Sequence, residues 1–572
     1  MLRKNDPFYE MDLEEKELRK AAKKNHKKEA RQRVEKRGSN HSSVLRLIFV
    51  GVVIILTLLF FGFSIDLLTS IGQTQINVGE EFTELAKVVL VLIQTLSLLA
   101  YLVLRVMAVF IVLALFGRVW NSAFKLPWIM IILVAPVIGL LLYLFLGRSG
   151  TIGKRMRRRY ALIRKRINPN YNQEEKVINQ YKESDPELYH QLYYLHKTGG
   201  YVAYNNTDVT YYSEGKYGLD AQVEELKKAK KFIFFEYHAI ENQEAFERIK
   251  RVLFQKAAEG VEVRVFYDDM GSIGFINHRF RKEMIEHGVQ CRVFNPLKPF
   301  VITFMNNRDH RKITVIDGKV GFTGGYNIAD EYFDITHPYG EWKDTGIRLE
   351  GEAVNSLSLI FLENWNGINV TDTEEDVKKY LIDYSDYKAK EPKGVILPYA
   401  DGPVDSEPLA ETAYMNLIRD SKHYLYITTP YLLITDEMAR ELIDAAKRGV
   451  DVRIITPGIP DKGLVYKMTR SYYMTLVHAG VKIYEYKYGF VHSKMMLVDD
   501  HMAIVGTINL DYRSLYHHFE NACFFAGYEC MPKIREHFNE MFEKSRDVTE
   551  KHKRRKKLSL FQIILRFFAP LM

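Results

Sequence analysis

His310-Arg311-Lys312 and His492-Ser493-Lys494 each set an imidazole and an ammonium two positions apart at the head of an apolar, strand-like run. Both runs close on an Asp, Asp317 and Asp499, five residues past the Lys. Both then reach a glycine, Gly324 and Gly506, with an Asn three residues further on, Asn327 and Asn509. Met once, H-x-K-x-x-x-x-D-x-x-x-x-x-x-G-x-x-N carries little weight. Met twice with identical internal spacing, it is a strong signal. Side chains two apart on a strand share a face, so the His and Lys of each copy are expected to emerge together. Face to face, the two copies offer two imidazoles and two ammonium groups to one anion.

Chemistry on a phosphodiester needs such a set. The anion repels nucleophiles, and the departing alkoxide is a poor leaving group. One imidazole can attack phosphorus and split one hard displacement into two easier ones. The other can protonate the leaving oxygen and then take the proton of an incoming hydroxyl, because His titrates near neutrality. Lys312 and Lys494 would neutralise the equatorial oxygens, with Asn327, Asn509 and the turns at Gly324 and Gly506 as candidates for holding substrate. The two Asn side chains could instead satisfy local backbone. Asp317 and Asp499 are grouped with the catalytic set, although orienting a His or bracing the fold suits their strand parity better than touching phosphate. Glu331 and Glu520 follow the two turns as candidate partners of a catalytic His, Glu520 being the stronger. No metal-ligand spacing stands out, and this chemistry requires neither a metal nor another cofactor.

The elements that must carry these residues form an internal repeat. Lys231-Phe-Ile-Phe-Phe-Glu236 precedes a helical stretch ending at Gly260 and the run Val261-Glu-Val-Arg-Val265. His423-Tyr-Leu-Tyr-Ile427 precedes one ending at Gly449, then Val450-Asp-Val-Arg-Ile454. A repeat of roughly 180 residues is far beyond solenoid periods, so two whole domains are expected. Strand, helix, glycine and strand again is the order of an α/β sheet covered on both faces. The predicted fold class is therefore α/β, two repeats in pseudo-two-fold arrangement preceded by N-terminal transmembrane helices. The first domain is expected over 201–390 and the second over 391–550, with the boundary among the turn formers of 388–405.

Ahead of the repeats the composition changes. Residues 1–42 are rich in Lys, Arg and Glu and can bury almost nothing. Residues 43–150 hold three apolar stretches, 44–63, 88–116 and 128–147, the second carrying Arg105 and the third interrupted by Pro136 and Gly139. Each is about long enough to cross a bilayer, and a secretory signal would lie nearer the N-terminus. Buried core helices are the blander alternative, disfavoured by three such stretches in the first quarter of the chain. Basic flanks before the first stretch and after the third predict an even number of crossings. Three candidates then require one re-entrant or interfacial stretch, or a catalytic part that faces outward. Residues 151–200 read as a basic linker and 551–572 as a basic, apolar tail, both suited to an anionic lipid surface. A multi-pass protein of the cell membrane is expected. The net charge of +9 would also attract nucleic acid, but membrane spans argue against a nuclease. Cys291, Cys523 and Cys530 are too few and scattered for a disulfide framework and read as small buried residues.

Beyond the doubled motif, Phe322-Thr-Gly-Gly-Tyr-Asn-Ile-Ala-Asp-Glu-Tyr332, Glu363-Asn-Trp-Asn366 and Arg566-Phe-Phe-Ala-Pro-Leu571 are similar to the bacterial cardiolipin synthases of the phospholipase D (HKD) superfamily. The similarity runs from about Phe110 to the C-terminus. It implies two phospholipase D-like domains, and a transfer in which two phosphatidylglycerol molecules give cardiolipin and glycerol through a phospho-histidine. It also implies His310 as the nucleophile, two spans before the catalytic part, anionic membrane lipids as partners, and neither cofactor nor nucleic acid. Such an exchange needs little driving energy, and no G-x-x-x-x-G-K-[ST] loop occurs in the chain. Water as acceptor would make a phospholipase D-type hydrolase, and phosphatidylethanolamine is an alternative donor. A phosphodiesterase or nuclease is the more distant alternative. One departure is Gly324-Gly325, where many members of the superfamily have Gly-Ser.

Overall fold

The computed structural model describes residues 84–118, 121–146, 154–171, 175–277, 279–296, 306–368, 375–391 and 393–571, with positions 11, 14, 16–22, 24 and 25. The apolar candidate 44–63 and most of the basic segment 1–42 lie outside the described residues. The chain divides into two compact units: His41–Gly150 forms most of one, and Thr151–Leu297 with Asn306–Ala569 most of the other.

In the smaller unit, Glu84–Phe116 is one continuous helix. Within it, Val91–Phe116 is the one stretch among the described residues long and apolar enough to cross a membrane. Its 26 residues, at 1.5 Å each, exceed the ~30 Å hydrocarbon thickness. Arg105 does not break the helix, because its guanidinium donates to the Tyr101 hydroxyl one turn back, at 2.8 and 2.6 Å. The third candidate behaves differently. It breaks at Pro136 into Ser122–Val134 and Pro136–Leu146, 13 and 11 residues long, each short of the ~20 a crossing needs. The two pieces fold back on each other, since the Trp128 and Tyr143 rings meet edge-on at 5.5 Å. A Cβ on Gly139 would stand 2.6 Å from Ile132 Cα, so glycine admits the close approach. The span expected over 128–147 is thus corrected to a short helical hairpin, broken where proline removes a helix hydrogen bond.

The larger unit holds two sheets. In chain order the first half supplies β1 (Thr207–Tyr212), β2 (Phe232–Tyr237), β3 (Glu262–Asp268), β4 (Gln290–Phe294), β5 (Lys312–Ile316), β6 (Val320–Gly324), β7 (Glu341–Lys343) and β8 (Gly346–Gly351). The second supplies β9 (Val395–Asp401), β10 (Tyr424–Thr428), β11 (Leu432–Leu433), β12 (Asp451–Pro457), β13 (Lys482–Tyr486) and β14 (Gly489–Val491). It continues with β15 (Met495–Val498), β16 (Met502–Gly506), β17 (Leu510–Asp511), β18 (Glu520–Ala526) and β19 (Ser545–Asp547). The first sheet runs β1-β8-β6-β5-β2-β3-β4, and the second runs β9-β18-β16-β15-β10-β12-β13 with β19 outermost. Position for position the orders coincide, and β5, which opens on Lys312, and β15, which begins one residue after Lys494, are central in each. Strand β2 is buried along its length, as a strand covered on both faces must be. The buried helix Ala353–Gly367 touches β5 and β8 of the first sheet and β9 of the second.

Two expected connectors are folded parts of this unit. Between the turns of 388–405 lies β9, entirely buried. The segment expected as a linker over 151–200 forms the helices Lys154–Ile167 and Pro186–Gly199. Tyr160 of the first donates to Asn364 Oδ1 at 2.8 Å, and Arg164 pairs with both Glu363 and Asp405. These contacts absorb part of the positive charge that made the segment read as a linker.

The hairpins that follow the motifs explain the paired aspartates. Asp317 and Asp499 sit at φ 54° and 53°, a left-handed conformation that Asp tolerates better than most residues. The Asp317 carboxylate accepts from the backbone N–H groups of Lys230, Lys231 and Phe232 at 2.8, 2.7 and 2.9 Å. Asp499 repeats this with Lys422, His423 and Tyr424 at 2.7, 2.9 and 2.7 Å. The catalytic grouping of Asp317 and Asp499 is therefore corrected: they cap the start of the neighbouring strand and brace the fold. Asp317→Ala and Asp499→Ala are each expected to lower stability by about 2–4 kcal/mol, three donors losing a charged acceptor. Thermal melting should show the loss, and turnover per folded molecule should stay near wild type.

Candidate active site

His310 and His492 stand just before the central strands, held there by strands of the opposite half. The His310 N–H donates to Phe519 O at 2.8 Å, and Phe519 N–H donates to Arg308 O at 2.8 Å. On the other side β14 pairs in parallel with β7, and His492 N–H donates to Lys343 O at 2.7 Å. Each imidazole consequently meets a carboxylate from the other half. His310 Nδ1–H donates to Glu520 Oε2 at 2.8 Å, and His492 Nδ1–H donates to Asp344 Oδ2 at 2.6 Å. The Glu520 side chain also accepts from the Thr507 hydroxyl.

Sequence reasoning singled out Glu520 but missed Asp344, offering Glu331 for the same role. Strand register would have found it. Gly324 pairs with Gly346 and Gly506 with Ala522, and two residues before those partners stand Asp344 and Glu520. The glycine that departs from Gly-Ser then has a reason. A Cβ on Gly325 would stand 2.0 Å from Asp344 Oδ1, so the carboxylate that holds His492 leaves no room for a side chain there. Also missed were the rings flanking the two imidazoles. His238 and His518 lie 4.8 and 5.5 Å from the His310 ring. Tyr332, Trp342 and Phe490 lie 5.2, 5.4 and 5.9 Å from the His492 ring.

Lys312 Nζ donates to His310 O at 2.7 Å. Lys494 Nζ donates to His492 O and stands 2.7 Å from His492 Nδ1. Both His–Lys pairs are almost wholly buried, and their charges act on one another. Burial pushes both imidazoles well below the usual histidine range. The Lys312 and Lys494 charges, and that of exposed Lys462, push the same way. Burial brings Lys312 down to about 8 and Lys494 to about 7, with Glu520 and Asp344 opposing it at Lys312 and Asp344 at Lys494. It lifts Asp344 to about 6, against the Lys494 charge. The set is a nest of bases and cations prepared for an anion.

The candidate substrate-holding residues divide. Asn327 is occupied locally, accepting from Ala239 N–H at 3.2 Å and donating to the Tyr332 hydroxyl at 2.8 Å. Asn509 Oδ1 is buried without a hydrogen-bond partner, while its side chain hydrogen-bonds the Asp511 carboxylate. Gly324 and Gly506 serve strand packing. A Cβ there would stand 2.4 Å from Thr345 O and 2.5 Å from Ala522 Cα, which corrects their assignment to substrate.

A family model described as the cardiolipin synthase phospholipase D-like domain matches residues 223–340 and 414–542. A second, described as the phospholipase D-nuclease N-terminal domain, matches 106–148. Cardiolipin synthase 2 of Bacillus anthracis is 34% identical over 78% of this chain and 86% of its own. The chain belongs to the phospholipase D-like cardiolipin synthase family. Within reach of that family, an uncharacterized protein of Streptococcus mutans is 40% identical over 78% of this chain and 96% of its own. The crystal structure of phosphatidylserine synthase from Haemophilus influenzae shares the fold, with a TM-score of 0.51 at 15% identity over 66% of this chain and 96% of that one.

For this cardiolipin synthase family member the charges predict a narrow, bell-shaped kcat/KM. Activity is expected to fall as pH drops through about 6, where Asp344 protonates and ceases to accept from His492. It should fall again as pH rises through about 7 to 8, where Lys494 and Lys312 lose charge. Lys494→Arg should move the alkaline limb upward if charge is what matters. Asp344→Asn and Glu520→Gln should each lower kcat at least ~100-fold, the scale of positioned acid–base catalysis. Initial rates across pH 5–9 check all three.

Proposed function

We propose that the chain is a cardiolipin synthase that transfers a phosphatidyl group from one phosphatidylglycerol to another and releases glycerol. The observation that carries this is the reciprocal pair His310–Glu520 and His492–Asp344, set with two buried lysines in a chain of this family. His310, the copy to which the family resemblance assigns the attack, would use Nε2 on phosphorus while Glu520 steadies the imidazolium through Nδ1. As the N–P bond forms, the P–O bond to glycerol breaks, and His492, protonated on Nε2 once the anionic phosphodiester lies against it, supplies the proton to the departing oxygen. The second phosphatidylglycerol then gives its hydroxyl proton back to His492 as its oxygen displaces the histidine. Lys312 and Lys494 would hold the phosphate oxygens through both steps. Little driving force is needed, since one phosphodiester replaces another.

A bilayer supplies the acceptor at high local concentration, so attachment to the membrane is part of the reading. Val91–Phe116 would anchor the chain, and a multi-pass arrangement would need a further crossing before it. The helix Leu560–Phe568 exposes Leu560, Phe561, Ile563, Ile564 and Phe568 while Leu565 is buried. It directly follows the exposed basic run 553–557. An apolar face beside a basic run suits insertion at an anionic lipid surface.

Purified enzyme given only labelled phosphatidylglycerol in vesicles should form cardiolipin and glycerol in equal amounts. His310→Ala and His492→Ala should each abolish the reaction while leaving the melting profile intact. Phosphatidic acid as the main product, or an absolute need for CDP-diacylglycerol, would overturn the assignment.

A further inference from the structure

Glu520 is bracketed by two imidazoles, both through Nδ1. His310 stands 2.8 Å from Oε2 and His518 stands 3.6 Å from Oε1. One ligand atom from each of the three residues lies within 4.8 Å of the others. His518 is nine-tenths buried, and neither of its ring nitrogens has a hydrogen-bond partner; Glu520 Oε1 has none either. Buried polar atoms left without partners are costly and call for an explanation. Hydrogen bonding to the neighbouring protein does not provide one.

The opposite half-site serves as an internal control. Counting back two residues from the equivalent carboxylates Asp344 and Glu520 gives Trp342 and His518. Their rings stand 5.4 and 5.5 Å from His492 and His310 respectively. An indole fills one position and an imidazole the other. An indole cannot bind a metal in this way, whereas two imidazoles and a carboxylate are a ligand set suited to zinc.

We propose that His310, His518 and Glu520 form a capture site for a zinc-like dication that silences the enzyme. The metal would take the Nδ1 lone pair of His310, whose proton moves to Nε2, and would turn Glu520 from hydrogen-bond acceptor to ligand. Zinc holds its ligand atoms at about 2.0–2.2 Å, so the three side chains must draw together by roughly an ångström. With Nδ1 metallated and Nε2 protonated, Nε2 has no lone pair for attack, and the Glu520 contact that steadies the ring is gone. The fourth position falls to water or to His238, whose ring is 4.8 Å from that of His310 and whose Nδ1–H is already given to Asp309 O at 2.6 Å. The site is inhibitory, and its effect on turnover rests on the role proposed for His310.

Zinc binding is readable without turnover, which separates this proposal from the assigned reaction. By equilibrium dialysis, the full-length enzyme in detergent is expected to bind one more zinc per chain than His518→Gln. Cobalt in its place should give a d–d absorption that His518→Gln lacks. Trp342→His should add a further equivalent by giving the His492–Asp344 half-site its second imidazole, a gain that poor folding of the first variant cannot mimic. In vesicles, zinc should inhibit transfer reversibly, and the inhibitory concentration should rise at least about ten-fold in His518→Gln, since even outer-shell changes cost that much affinity. Equal stoichiometry in wild type and His518→Gln, equal inhibition of both, or zinc bound without loss of turnover would each overturn the proposal.

Discussion

Each reactive imidazole takes its carboxylate from the other half of the chain, His310 from Glu520 and His492 from Asp344. Neither half can assemble a His–carboxylate pair alone, so docking the two repeats precedes any chemistry. Much of the local structure is arranged around that exchange. The β7–β14 pair and the Asp309–Phe519 bridge sew the halves together at the residues beside the histidines. Gly325 has no side chain because Asp344 occupies the space, and Thr507 at the matching position holds Glu520 instead.

The exchange also gathers two lysines and two imidazoles against two carboxylates in a buried space. Two lysines and two imidazoles surround a site faced by Asp344 and Glu520, and the cations respond by giving up protons more readily. Burial of unpaired charge is expensive, and this cost sits where an anionic phosphodiester would relieve it. Substrate is in this sense the missing counter-ion. A bound phosphate would restore the lysine charge that burial weakens, tying binding energy to the protonation state used in the reaction.

Beneath the site the two halves diverge. Between His310 and Lys312, Arg311 points into the first half, donates to Ile360 O at 2.9 Å and lies in the field of Glu363, Glu236 and Asp309. Burial pushes Glu236 up to about 7, and Asn364 donates to Glu236 and to Asp309 at 3.0 and 3.2 Å. At the matching places the second half has Ser493 donating to Thr428 at 3.0 Å, a neutral contact. The ionic version is the one joined to the helix Lys154–Ile167, through Tyr160 and Asn364. The repeats thus keep one catalytic surface over two different cores.

The doubled spacing of His, Lys, Asp, Gly and Asn determined the duplicated α/β fold and the kind of chemistry, because period-two geometry on a strand is local and survives in any tertiary setting. The apolar character of 88–116 likewise determined a helix of crossing length. Local pattern could not tell which acidic residue meets which histidine, since Asp344 reaches His492 across 148 residues of chain through strand register. It also could not separate motif residues that face substrate from those that hold backbone, as Asp317, Asp499, Gly324 and Gly506 do. The hairpin at Pro136 depended on Gly139 meeting Ile132, a contact set by packing. Spacing fixes what lies side by side along one strand; partners across strands and between halves exist only once the sheets have formed and docked.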